Sequence, residues 1–196
     1  MVLKNNRFGI TLYVIFFLLL CFTACESTGT QGEGLLSSSG RSGEMLVVCS
    51  SSQWKGELGD SLQHFFMSAL ECLPQNEPVF TLSQVANQDF NAVYQKQRNI
   101  LYIDIDKKYT EPKITVVKNK WASPQLIVNI AAADESEAIA FVSYYKDKIT
   151  ALFLDAEIKR FQRAQLAQQD RNIDKKLQET YKISMIVPNG FVFAIK

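Results

Sequence analysis

Asp104 and Asp106 stand two residues apart in the stretch "YIDID". On a strand that spacing turns both carboxylates to one face, and paired carboxylates flanking a glycosidic bond can act as acid and as base or nucleophile. A second pair, Asp60 and His64, has the i, i+4 spacing that brings side chains together on a helix. With a serine it would give the acid–base–nucleophile set of acyl transfer. Each pair also has an ordinary reading: carboxylates at a strand end face water, and Asp60 with Gln63 three positions on is a helix N-cap. No G-x-S-x-G elbow exposes a serine. His64 is the single histidine and there is no C-x-x-C, so no metal and no cofactor is expected. "GELGD" (56–60) sets two glycines near a helix start, where bare N–H groups can hold an anion. It lacks the Lys and Ser/Thr of a phosphate loop, and turn chemistry accounts for it. Trp54 and Trp121 fall in expected loops, as platforms for a glycan or protein partner or as plugs over the sheet ends. The expectation is a non-enzymatic protein, the alternative a hydrolase using Asp104, Asp106 or Asp60/His64.

The thiol at Cys25 has a different kind of chemistry. Lys4 and Arg7 precede an apolar run from Ile10 to Phe22, and the small residues Thr23 and Ala24 come next. Charge, short apolar span and small residues make a secretory signal over 1–24, and the run falls short of the ~20 residues that span a bilayer. Small side chains before Cys25 suit cleavage ahead of a modified cysteine, whereas Cys21 comes after three leucines. "FTAC" resembles the lipobox of bacterial lipoproteins, with Phe22 where Leu is commoner. That resemblance implies a diacylglyceryl thioether on Cys25, and two or three acyl chains at ~0.8 kcal/mol per CH₂ make a durable membrane anchor.

Removing Lys4 and Arg7 leaves 19 cations against 20 acids. A near-neutral chain lacks the basic face that displaces counterions from nucleic acid, so nucleic acid is not an expected partner. Residues 25–43, rich in Gly, Ser and Thr, read as a flexible tether. Cys49 closes an expected strand and Cys72 ends the helix after it, roughly 20 Å away at 1.5 Å per residue. A disulfide needs Cα atoms within about 7 Å, so two buried, unpaired thiols are expected.

These residues are carried by an expected α+β domain over 44–182. "EMLVVC" reads as a strand buried on both faces, and residues 60–73 as an amphipathic helix capped by Asp60. "VFTLSQV" is a strand; a short helix over 88–97 turns Phe90, Val93 and Tyr94 inward; "NILYIDID", "KITVVKNK" and "PQLIVNIAA" are strands, with "WASP" as a turn. Asp134 and Glu137 form a second capping box. Ile139, Val142, Tyr145, Ile149, Leu152 and Phe153 line the buried face of one long helical region, which turns polar after Asp155 with an apolar seam able to dock a partner helix. Unbroken to residue 181 it would reach about 70 Å, so a break is expected. Asn189-Gly190 between apolar runs signals a hairpin, and residues 183–196 read as the start of a truncated second half. The expected sheet is mixed and mostly antiparallel, with helices on one face.

"SSSGRSGEMLVV", "WKGELGDSL", "LPQNEPVF", "RNILYIDI" and "WASPQLIVNI", in this order behind a lipobox, resemble a family of Bacteroidota lipoproteins catalogued as domain of unknown function 4837. The resemblance covers residues 36–196. It implies a cell-envelope lipoprotein, longer than this chain, with no assigned activity and no catalytic residue to carry across. The expected location is the outer membrane, facing the periplasm, with an envelope protein or glycan as partner.

Overall fold

The computed structural model describes residues 34–69, 75, 77–192 and 194. The expected signal over 1–24, Cys25 and Cys72 lie outside them, and the domain described is the unit beginning at Leu35. Among the described residues no helix is long and apolar enough to cross a membrane.

Among the described residues seven strands form: β1 (Leu36–Ser37), β2 (Glu44–Val48), β3 (Thr81–Val85), β4 (Asn99–Ile105), β5 (Lys113–Lys118), β6 (Ala122–Ser123) and β7 (Leu126–Ala132). Five of them make one sheet in the order β3-β2-β4-β7-β5. The fold is α+β with a mixed sheet, but contrary to expectation its strands are mostly parallel. β2 runs parallel to β3 and β4, β4 runs parallel to β7, and β5 alone is antiparallel, against β7. Parallel neighbours need crossovers rather than hairpins, and crossovers cover the faces of the central strands. That is why β2, β4 and β7 are near-continuous apolar runs.

Among the described residues four helices accompany the strands: α1 (Ser51–Trp54), α2 (Glu57–Phe66), α3 (Glu135–Ala167) and α4 (Arg171–Tyr181). The capping box sits one helix earlier than expected. Ser50 and Gln53 form it at α1, while α2 starts from Gly56, and Asp60 lies inside its first turn. At α3 Asp134 is the N-cap, accepting from the Glu137 N–H at 2.8 Å, and the Glu137 carboxylate accepts from Ala133 N–H at 2.7 Å. The long helical region breaks at Gln168–Asp170, where Asp170 caps α4.

Side chains alternating along β2, β4 and β7 build two cores. On the helix face Met45, Val47, Leu101, Ile103, Val128 and Ile130 meet Leu62 and Phe66 of α2 and Val142, Ile149 and Phe153 of α3. Each such buried side chain contributes about 1.5–3 kcal/mol, and Phe80 packs edge-on to Phe153 at 6.1 Å. On the other face Leu46, Val48, Val85, Ile100 and Ile127 are covered by Phe90, Tyr102, Val117 and Trp121. The expected helix over 88–97 is two 3-10 turns, Asn87–Asp89 and Tyr94–Lys96. Phe90 points inward as expected, but Tyr94 is exposed and Val93 is 73% exposed; a turn of three residues has no continuous inward stripe.

The last part of the expected tether is laid against the domain. Leu36 and Ser37 pair with Ala122 and Ser123, Ser39 exchanges backbone hydrogen bonds with Lys96 and Arg98, and Ser42 reaches α3. At the other end, residues 183–192 contain no strand, so the described part shows no hairpin ladder. Asp170 N–H instead donates to Val187 O and Asn189 N–H to Gln168 O, holding the segment to the α3–α4 joint.

Candidate functional site

Along α3 the inward stripe runs Ala138, Val142, Ile149, Phe153, Glu157, Arg160. Its spacing never leaves the helical period, but its chemistry changes at Glu157. There the helix meets the N-terminal edge of β2 and β4, where the residues ahead of each strand expose backbone groups. Glu157 and Arg160 are each only 8% exposed. Four groups converge on the Glu157 carboxylate: Asn99 Nδ2 at 2.7 Å, Arg160 Nη1 at 2.6 Å, Ser42 Oγ at 2.9 Å and Arg98 Nη2 at 3.2 Å. Arg160 also donates to Asn99 Oδ1 and to Arg98 O, both at 2.9 Å, and Asn99 donates to Glu44 O at 2.9 Å. The carboxylate is thus shared by two guanidiniums, as a buried charge requires. Burial disfavours the Arg160 cation and lowers its pKa, opposed by the Glu157 charge. Arg98 Nε is buried without a hydrogen-bond partner among the described residues.

Beside this network, where α3 passes the start of β7, lies a pocket of about 150 Å³. Lys118, Asn119, Asp155, Lys159, Arg160 and Arg163 line it, over a floor that includes Gln125 and Leu126. The Gln125 side chain shapes the loop beneath: its amide donates to Gln95 O at 2.6 Å and Gln97 O at 2.7 Å and accepts from Trp121 N–H at 3.1 Å. Asn119, held at φ +52°, accepts from Gln125 N–H at 2.9 Å. Lys159 pairs with Asp155 at 2.6 Å.

The residues singled out in the sequence are dispersed. Asp104 lies in β4 and Asp106 one residue past its end, and each has its own partner: the Tyr109 hydroxyl donates to Asp104, and Lys108 Nζ to Asp106 at 2.9 Å. The Lys108 ammonium holds Asp106 below the usual carboxylate range, and the bond to Asp104 raises the Tyr109 phenol. Asp60 and His64 sit exposed on α2, in the helix layer, with no hydrogen bond or ion pair joining them. Trp54 packs into the helix-face core and Trp121 into the opposite one, edge-on to Phe90 at 5.5 Å with Lys120 over its ring at 4.3 Å. The two tryptophans do not make one platform.

"GELGD" does seat an anion, and the chain supplies it. Glu135, in the first turn of α3, accepts from the Leu58 N–H at 3.2 Å, at the positive end of α2. Gly59 is forced by packing, since a Cβ there would lie 1.8 Å from Trp54 O. Cys49, buried and unpaired as expected, lies near the same carboxylate. Burial and then the Glu135 charge push its thiol up to about 11.

Sequence reading missed Glu157 and Arg160 because charged residues on a helix are ordinarily solvated. The available signal was their spacing: they extend the Val142–Ile149–Phe153 stripe by four and seven positions. A family model described as a domain of unknown function (DUF8532) matches residues 38–165. The chain belongs to this family. The DUF8532 region begins where the segment before β2 docks on the domain and ends within α3, two residues past Arg163, so it contains both the network and the pocket lining. No curated protein matches the chain, and no solved structure does.

Proposed function

We propose that this is a cell-envelope lipoprotein, anchored through acyl chains on Cys25, whose domain binds or scaffolds another envelope component and carries no catalysis of its own. The outer membrane, facing the periplasm, is the proposed site. The ordered motifs from "SSSGRSGEMLVV" to "WASPQLIVNI" support kinship with the Bacteroidota lipoproteins catalogued as domain of unknown function 4837.

The binding half of the reading rests on one observation. Beyond its buried stripe, α3 carries Leu154, Ile158 and Phe161 at i, i+4 and i+7, one stripe of a helix, and all are exposed: Ile158 by 55% and Phe161 by 64%. The Glu157–Arg160 network fixes the rotation of α3, so this row is presented outward on a rigid support. Exposed apolar rows of this kind mark protein-interaction surfaces, and the partner it suits is an envelope protein offering an apolar helix face. Against the hydrolase alternative, a general acid needs a raised pKa, and the ammonium of Lys108 lowers that of Asp106.

The test is site-specific photo-crosslinking from position 158 or 161 in living cells. The reading expects a discrete crosslinked protein that disappears with Phe161→Asp while the melting temperature holds. Crosslinks that persist unchanged in that variant, or turnover of chromogenic glycosides or esters that Asp104→Asn or Asp106→Asn abolishes, would refute it.

A further inference from the structure

The basic pocket beside α3 has a charge and size of its own. Of its four cations, Arg160 is neutralised from the sheet side by Glu157 at 2.6 Å and Lys159 by Asp155 at 2.6 Å. Lys118 and Arg163 have no carboxylate partner among the described residues. Two unpaired positive charges therefore face one small cavity, in a chain that is near neutral overall. The Asn119 carbonyl oxygen is occupied by Gln125 N–H, which orients its amide group; the nitrogen donates to nothing else described. The donor set is thus two free cations, a lysine shared with a surface carboxylate, and an oriented amide.

We propose that this pocket binds a phosphate group, as the free ion or as the head of a phosphomonoester. Its volume of about 150 Å³ is the share of roughly five waters at ~30 Å³ each. That suits one tetrahedral oxyanion. The charge selects further: a phosphomonoester carries about −1.5 to −2 near neutral pH, matching two unpaired cations, whereas a carboxylate would leave one over. Arg163 and Lys118 come from α3 and from the end of β5, so the anion would bridge helix and sheet next to the network that already joins them. The site is separate from the apolar row, which occupies the far stripe of α3, and its occupancy does not depend on that row or on the anchor.

The experiment is calorimetric titration of the full-length chain with inorganic phosphate at constant ionic strength. Saturable binding is expected, weakened by about tenfold or more in Lys118→Gln/Arg163→Gln, each lost contact being charge-assisted. Both side chains lie outside the buried network, so the variant keeps its fold, and Lys175→Gln on α4 is the control that leaves binding unchanged. Failure to saturate by roughly 10 mM phosphate, equal affinity in the double variant, or equal competition by acetate each overturns the proposal. Vesicles distinguish the source. Recruitment to phosphatidic acid over phosphatidylcholine, competed by phosphate and lost in the double variant, assigns a lipid headgroup; phosphate binding with no such recruitment assigns a soluble phosphate.

Discussion

Replacing Glu157 by Gln keeps the shape of the side chain and removes its charge, and the structure says what that does. The carboxylate is the acceptor for Asn99, Ser42, Arg160 and Arg98 at 2.6–3.2 Å. A glutamine oxygen can still accept, but its NH₂ then points at a group that also only donates, and two guanidiniums lose their counterion. Removing one partner of a buried pair costs about 3–5 kcal/mol. For a domain of this size that is roughly 6–20 °C in melting temperature, at about 2–4 °C per kcal/mol. Arg160→Met should cost less, about 2–3 kcal/mol, because Arg98 remains 3.2 Å from Glu157 and still neutralises it. Urea unfolding followed by circular dichroism measures both. Glu157→Gln should be the worse of the two, and the double variant should be milder than the sum. Equal losses, the reverse order, or strict additivity would refute the picture of one carboxylate serving two cations.

The opposite edge of the sheet supplies further outcomes. Gly59→Ala should destabilise by about 1–3 kcal/mol or more, since the added Cβ meets the Trp54 carbonyl at 1.8 Å; a melting temperature equal to wild type would contradict that packing. Cys49, in a chain whose other cysteines are serine, should resist alkylation near neutral pH and react on unfolding. Its folded pKa is raised to about 11, so the stability it contributes is complete below the unfolded thiol's value and is lost as pH rises towards 11. The cost of Cys49→Ala, measured near neutral pH, should therefore shrink at about pH 10.5. Glu135→Gln should weaken the start of α2 by about 0.3–1 kcal/mol and shift the alkaline edge of Cys49 alkylation to lower pH; an unmoved edge would show that burial alone sets it.

Much of the fold was legible because its signals are local. The apolar runs of β2, β4 and β7 gave strands, the stripe from Ile139 to Phe153 gave a long helix, and the length of about 70 Å that an unbroken helix would reach gave its break. Strand direction was not local. It is decided by which neighbour each strand finds, and β4 lies between β2 and β7 rather than beside β3 or β5. The doubly covered character of "LVV" was the readable hint of parallel pairing. The capping error has a similar cause: Asp60 and Ser50 both carry the signature, and Gly59 packed against Trp54 O is what extends α2 back to Glu57. The network was hidden for a simpler reason. Asn99, Glu157 and Arg160 are ordinary surface residue types, separated by 58 and 61 positions where they bond, and only the tertiary crossing of α3 over the start of β4 buries them together.

The proposed role depends on a domain held beside a membrane by its first mature residue. Mass spectrometry of the N-terminal peptide from the protein isolated from its own envelope tests this most directly. A peptide starting at Cys25 and carrying two or three acyl chains is the predicted result. An unmodified thiol there, or a mature chain starting at a later residue, would contradict it.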